Sequence, residues 1–267
     1  MQKRLSKSES TQLDIASIPA ETSPDEPLNQ WLIVSYQPVS LFSLKRSDAT
    51  SMAARSNLVP TPYAIKMALL KVLLESEGKD HRTNFDLWIK GQFAWIRDLQ
   101  IYILPPERLV VNRNGYKLRY WNQQADKDYR KEHNKEAPPI SPMQDGFVFR
   151  EWVHLEGNLQ ICCGATSRLA DLERLYAQIN YFGKRGCFFQ YLPEASQQIP
   201  KPQWQPSPTK GFTVQPMDDL GDKSTFSKIN PFSTEKAQID KDRVIKPGFL
   251  PLELVATSAR YDLYKRL

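Results

Sequence analysis

Residues 57 to 76 read NLVPTPYAIKMALLKVLLES, and the way this stretch is taken decides the rest of the chain. Thr61 carries the side chain of a helix N-cap and Pro62 the fixed φ that suits a first helical position, so a helix is predicted from there to about Ser76. Ile65, Ala68, Leu69, Val72 and Ser76 share one face by helical spacing, and Met67, Leu70 and Leu74 form a second. A solvated surface helix carries one apolar stripe, so a helix with two must be covered twice. One cover is the sheet it belongs to. The other is a second layer of the same chain or a surface of something else.

Working outward, "NQWLIVSYQP" gives a buried strand over Trp31 to Tyr36, dense in large and β-branched residues and bounded by Pro38. Between strand and helix, "SLFSLKRSDATSMAARSN" mixes serines with Lys45, Arg46 and Arg55 and reads as an exposed basic loop. Residues 1 to 28 hold Pro19, Pro24 and Pro27 with few large apolar side chains, the composition of a mobile lead-in.

Beyond the helix, "FAWIRDLQIYIL", residues 93 to 104, is predicted as a strand stopping at Pro105 and Pro106. In "RLVVNRNGYKLRYW", Asn114-Gly115 lies between two strand-like arms, the signal of a hairpin turn with φ > 0 at both central positions. Arg113, Lys117 and Arg119 stand there beside Tyr116, Tyr120 and Trp121, ahead of the charged run "ADKDYRKEHNKE". A polar insertion of this length inside a domain is expected to project as a finger over about residues 105 to 146. "GFVFREWVHLEGNLQICC" returns to strand character. Ser167 is the expected cap of "RLADLERLYAQI", where Leu172, Leu175, Tyr176 and Ile179 follow helical spacing. "YFGKRGCFFQYL" closes with a glycine-bounded basic turn and a last strand.

This order, strand, helix, strand, insertion, strand, helix, strand, is the βαββαβ plan of an α+β, ferredoxin-like domain over residues 29 to 193. From Pro193 onward Pro200, Pro202, Pro206, Pro208 and Pro216 punctuate the chain, so residues 194 to 267 are expected to form an extended arm whose last segment docks back.

The totals agree with one compact unit. The 267 residues suffice for a core, and 36 Lys and Arg against 30 Asp and Glu leave a net charge of +6. That excess suits a polyanionic partner without proving one. Cys162, Cys163 and Cys187 have neither disulfide-framework nor metal-ligand spacing and read as reduced core thiols. No apolar run approaches the roughly 20 residues that span a bilayer, and the N-terminus lacks a signal-peptide apolar region, so a soluble cytoplasmic protein is expected.

No phosphate-binding loop, zinc-protease helix, nucleophile elbow or dinucleotide fingerprint is present. No cofactor or metal is expected. The "GKRG" turn sets Lys184 and Arg185 between Gly183 and Gly186, where the backbone is free to approach a phosphate and the side chains to neutralise it. Equally, Gly183 has the character of a helix C-cap and Gly186 eases entry to a strand. The ribbon aromatics suit base stacking, and they suit cross-strand pairing just as well. A metal-independent ribonuclease needs an acid and a base beside one phosphodiester, and the histidines available, His81, His133 and His154, are scattered.

"VPTPYAIKMALLKVLL" after a strand and a basic loop resembles the opening of the Cas-five family of CRISPR Cascade subunits, whose motif Pro-x-Pro-x-Ala-[Ile/Leu] is matched by Pro60, Pro62, Ala64 and Ile65. The resemblance covers about residues 30 to 193. It implies a non-catalytic subunit that grips the 5′ handle of the guide RNA and caps the backbone filament. A thumb-like hairpin would reach the adjacent Cas-seven subunit. The large Cascade subunit and target DNA near the PAM-proximal end are the further implied partners, with transposition proteins in transposon-associated versions.

Carried onto this chain, the RNA contacts are Lys45, Arg46, Arg55 and Asn57 in the approach loop, Tyr63 and Lys66 at the helix start, and Lys184 and Arg185 in the turn. Arg113, Lys117, Arg119 and Tyr120 serve the thumb. The Tyr, Lys and His cluster with which some relatives cut repeat RNA has no counterpart in the sequence. A repeat-RNA endonuclease, and a protein interaction module with incidental charge, are the alternatives.

Overall fold

A computed structural model describes residues 30–49, 53–133, 143–164, 166–200 and 211–267. The expected lead-in over residues 1 to 28 lies outside them. In chain order the elements are β1 (Gln30–Pro38), β2 (Ala53–Ala54), α1 (Pro62–Glu77), α2 (Phe85–Asp98), β3 (Gln100–Leu104), β4 (Arg108–Trp121), α3 (Gln123–Glu132), β5 (Met143–Glu156), β6 (Leu159–Gly164), α4 (Leu169–Tyr176), β7 (Phe189–Pro200), β8 (Thr213–Leu220), α5 (Phe226–Ile229), β9 (Arg243–Leu250), β10 (Leu252–Thr257) and β11 (Tyr261–Arg266). The fold is mixed α+β with mainly antiparallel sheets.

The first sheet has the order β3-β6-β1-β7, every neighbouring pair antiparallel. A second runs β10-β11-β4-β5-β2, and β8 and β9 pair alone. One core joins Leu32, Val34 and Tyr36 of β1 to Ile65, Leu69 and Leu73 of α1, Leu172 and Leu175 of α4, and Leu109 and Val153 of the second sheet.

Thr61 caps α1 as expected: its Oγ1 accepts from the Ala64 N–H at 3.3 Å, with Pro62 at the first helical position. The helix ends at Glu77, one residue beyond the expected end. Its second stripe is covered from within the chain. Leu70 is 2% exposed, α1 packs against β8, and Met67, Leu70 and Leu74 face Phe226 and Ile229 of α5 across an apolar groove. Of the two covers open to it, the second layer of the same chain is the one found: the C-terminal region packs on this stripe.

Four further expectations change. Residues 85 to 98 are helix where a strand was expected from 93, because Ile89, Phe93 and Ile96 fall at i, i+4 and i+7 and are all buried. Helical period outweighs the β-propensity of Phe93, Trp95 and Ile96. The last strand continues past the proposed boundary at 193, pairing with β1 as far as Pro200, and residues 211 to 267 form β8 to β11 with α5 instead of an irregular arm. The helix at 169 has no Ser167 cap; the Thr166 hydroxyl accepts from the Arg168 N–H at 3.0 Å.

Asn114-Gly115 is not a turn. β4 runs unbroken through both and pairs with β5 from Arg108↔Glu156 to Trp121↔Met143, and Gly115 lacks the positive φ a hairpin turn needs. The glycine meets a clearance requirement instead. A Cβ there would lie 2.4 Å from Phe147 Cζ, where the Phe147 and Phe149 rings meet edge to face. The ribbon ends beyond Trp121, where α3 begins.

All three cysteines are free and buried, and burial pushes the Cys162 and Cys163 thiols up to about 12. Native protein at pH 8 is thus expected to resist a maleimide at these positions, while denatured protein takes up three; mass spectrometry counts the adducts. Among the described residues no helix is long and apolar enough to cross a membrane.

Candidate nucleic-acid interface

The approach loop is held in place mainly by its main chain. Asn57 N–H donates to the Leu44 carbonyl at 2.8 Å, and Arg46 N–H to the Arg55 carbonyl at 2.9 Å, so residues 44 to 46 and 55 to 57 run as a short antiparallel pair. Gln215 of β8, 1% exposed, fixes the backbone of Leu58 and Val59. Its Oε1 accepts from Leu58 N–H at 2.6 Å, and its Nε2 donates to the Val59 carbonyl at 3.2 Å. Nothing in the sequence marks this glutamine; only the fold brings it 157 residues back to Leu58.

The "GKRG" turn docks on the same loop. Ser40 Oγ donates to the Gly186 carbonyl at 2.9 Å, and Gly183, with φ +74°, sits so close to Leu44 that a Cβ would lie 2.5 Å from its Cδ1. Left-handed φ and this approach both require glycine. Gly183 is separated from α4, which ends at Tyr176, so it does not cap that helix.

Lys45, Asn57, Tyr63 and Lys184 consequently line one cavity of about 370 Å³ at the N-terminus of α1, together with Arg243 and Asp218. Four of the predicted RNA contacts, brought from well-separated parts of the sequence, meet there. The first turn of a helix carries partial positive charge and adds to that of the two lysines. Arg243 was not anticipated. Its guanidinium lies 4.4 Å from the Tyr63 ring centroid, its Nε donates to Asp218 Oδ2 at 2.8 Å, and its Nη2 donates to Ser47 Oγ at 3.0 Å. Burial raises the Tyr63 pKa, with Arg243 opposing, so the phenol stays neutral.

Arg46, Arg55 and Arg113 gather in a second, smaller pocket beside Glu151 and Asp262. Arg46 is paired with Asp48 at 2.6 Å. Arg113, on the half of β4 nearer its start, is engaged within the chain: it ion-pairs with Glu151 at 3.4 Å and with Asp262, and donates to the Ser258 carbonyl at 2.9 Å. Farther along the ribbon, Lys117, Arg119 and Tyr120 are exposed, with Arg119 paired to Asp145 at 3.1 Å.

Lys66 requires the plainest correction. It is 2% exposed, and its Nζ pairs with Asp219 at 2.7 Å and donates to the Arg97 carbonyl at 2.7 Å. It belongs to the core, tying α1 to β8, and does not face a ligand. Lys45, Arg55, Lys117, Lys184 and Arg185 are exposed and have no ion-pair partner among the described residues. The three histidines sit on separate elements: His81 stacks on Trp88, His133 follows α3 beside Tyr129, and His154 lies on β5 opposite Val110.

No protein-family model matches the chain. Over 217 residues it is 24% identical to a protein of Archaeoglobus fulgidus described as CRISPR-associated protein Cas5, the match covering 76% of this chain and 86% of that protein. The crystal structure of a CRISPR protein from Archaeoglobus fulgidus is similar at a TM-score of 0.38 and 12% identity, over 89% of this chain and 92% of that one. The chain is thus similar, across three quarters of its length, to a CRISPR-associated Cas5 protein, with Pro60, Pro62, Ala64 and Ile65 at the opening of α1.

Proposed function

We propose that the protein is a non-catalytic Cascade subunit that binds the 5′ handle of the guide RNA and caps one end of the backbone filament. The observation that carries this reading is the cavity at the start of α1, where Lys45 and Lys184 converge with Tyr63 and Arg243 against one Asp218. Cations beside an aromatic ring and a helix N-terminus suit single-stranded RNA, whose phosphates need neutralising and whose bases stack. Arg185, next to Lys184, is exposed as well, while Arg55 is exposed at the second pocket.

The first sheet, order β3-β6-β1-β7, supports a ferredoxin-like domain of the kind found in CRISPR RNA-binding subunits. The β4-β5 ribbon is the candidate thumb, with exposed Lys117, Tyr120, Trp121, Phe147 and Phe149 available to the adjacent Cas-seven subunit or to RNA. Three histidines on separate elements favour a binder over a nuclease, because acid and base must share one phosphodiester.

Anisotropy titration of labelled single-stranded RNA against salt tests the reading. Three phosphate contacts give a log–log slope of about −2, at roughly −0.7 per contact. A flat salt response favours an interaction module with incidental charge. Incubation with repeat RNA in EDTA separates the third alternative, since a metal-independent nuclease cuts there and a binder leaves the RNA whole.

A further inference from the structure

Between β8 and β9 the chain leaves the strand pair over residues 221 to 242 and returns to where it left, Gly221 N–H donating to the Asp242 carbonyl at 3.0 Å. Loops of this length inside a compact domain are uncommon and usually functional. This one is tied from within. Asp242 is 1% exposed, and its carboxylate pairs with Lys228 at 2.8 Å and accepts from Gln238 N–H at 2.9 Å.

The loop presents one aromatic ring outward. Phe232 is 94% exposed, yet its backbone is fixed: Pro231 precedes it, and its N–H donates to Asn230 Oδ1 at 3.1 Å. Asn230 N–H in turn donates to the Phe226 carbonyl at 2.9 Å. A large apolar side chain on a held backbone loses little freedom when a partner buries it, and aromatic anchors of this kind carry much of the energy of protein interfaces. Phe232 stands at the edge of the apolar groove of about 460 Å³ that Met67, Leu70 and Leu74 of α1 form with Phe85, Phe226 and Ile229.

The rim of the groove offers nothing to a polyanion. Lys71 pairs with Glu75 at 2.7 Å and lies 5.3 Å from the Tyr181 ring centroid, so among the described residues lining the groove no cation is left unpaired. A second copy fits better. A two-fold axis brings a patch against itself, which calls for balanced charge and for both halves of the apolar contact on one surface. Here Lys71 is balanced by Glu75, and an outward ring stands beside a groove that can receive one.

We propose that this face is the interface of a homodimer, in which Phe232 of each copy enters the groove of the other. An axis across α1 runs the two helices antiparallel and sets Lys71 of one copy against Glu75 of the partner subunit. Dimerisation needs no RNA, and Phe232 lies outside the cavity at the start of α1.

Sedimentation velocity of the full chain, freed of nucleic acid, is the test. One groove and one anchor per copy make a contact at the weak end of specific interfaces, so wild type is expected to pass from monomer to dimer between about 1 and 100 μM. Phe232→Asp removes both anchors at once and is expected to raise the dissociation constant about a hundredfold or more, leaving monomer throughout. Its thermal midpoint should equal that of wild type, because the ring is solvated in the monomer. Phe232→Leu, still apolar, should keep part of the association. From the groove side, Leu74→Gln, similar in size but polar, should weaken the dimer about tenfold or more. Wild type that stays monomeric to the top of the range overturns the proposal. A dimer that persists in Phe232→Asp, or one that Leu74→Gln leaves unchanged, is held by another surface and overturns it as well. None of these results bears on RNA binding, which is measured separately.

Discussion

Asp219→Ala lowers the free energy of unfolding by about 3 kcal/mol, read as a fall in the urea midpoint with the slope unchanged. The Lys66 side chain, on the inner side of α1, is only 2% exposed. It is held by the Asp219 carboxylate at 2.7 Å and the Arg97 carbonyl at 2.7 Å. Removing Asp219 leaves a buried charge with one neutral acceptor, and breaking a buried pair in this way typically costs about 3–5 kcal/mol. The low end applies because the Asp219 side chain is 33% exposed, so water reaches part of the vacated space.

Burial pushes the Asp219 pKa up and Lys66 opposes that shift, the balance expected of a pair whose desolvation rivals its attraction. Replacing both, Lys66→Met with Asp219→Leu, is expected to recover much of the loss, because the penalty is the stranded charge. Equal destabilisation by the single and the double variant contradicts this account of how β8 is fastened to α1.

The second large effect is functional. Lys45→Glu with Lys184→Glu is expected to reduce affinity for single-stranded RNA about a hundredfold at moderate salt, on the basis of about tenfold for each reversed phosphate contact. Both lysines are exposed and without an ion-pair partner among the described residues, so stability should be unchanged. Lys66→Met offers the contrast. It should damage folding and spare the surface charge, which separates a residue that resembles a contact by its place in the motif from one that lines the cavity.

That contrast shows what the sequence conveyed and where it stopped. The cap and first turn of α1 were legible because Thr61 and Pro62 act locally, and β1 because Trp31 to Tyr36 form a short, dense apolar run. The helix over residues 85 to 98 was obscured by its aromatic and β-branched residues, although Ile89, Phe93 and Ile96 carried the helical period throughout. Asn114-Gly115 misled for a different reason. A glycine required by φ and a glycine required by clearance are identical in sequence, and only the register that sets Phe149 opposite Gly115 tells them apart.

The convergence of Lys45, Asn57, Tyr63 and Lys184 on one cavity followed from the motif and the basic turn. The inward turn of Lys66 and the pairing of Arg113 did not, since their carboxylate partners Asp219 and Asp262 lie 153 and 149 residues away. Arg243 and Gln215 were invisible for the same reason. Each acts through a strand pair, β8 with β9, that a proline-punctuated region did not advertise.

The most direct test is to sequence the RNA that co-purifies with the full chain from its native cells. The account predicts short RNAs sharing one constant 5′ segment, recovered with wild type and depleted by the double charge reversal at Lys45 and Lys184. RNA without a common 5′ end, or equal recovery by that variant, would contradict it.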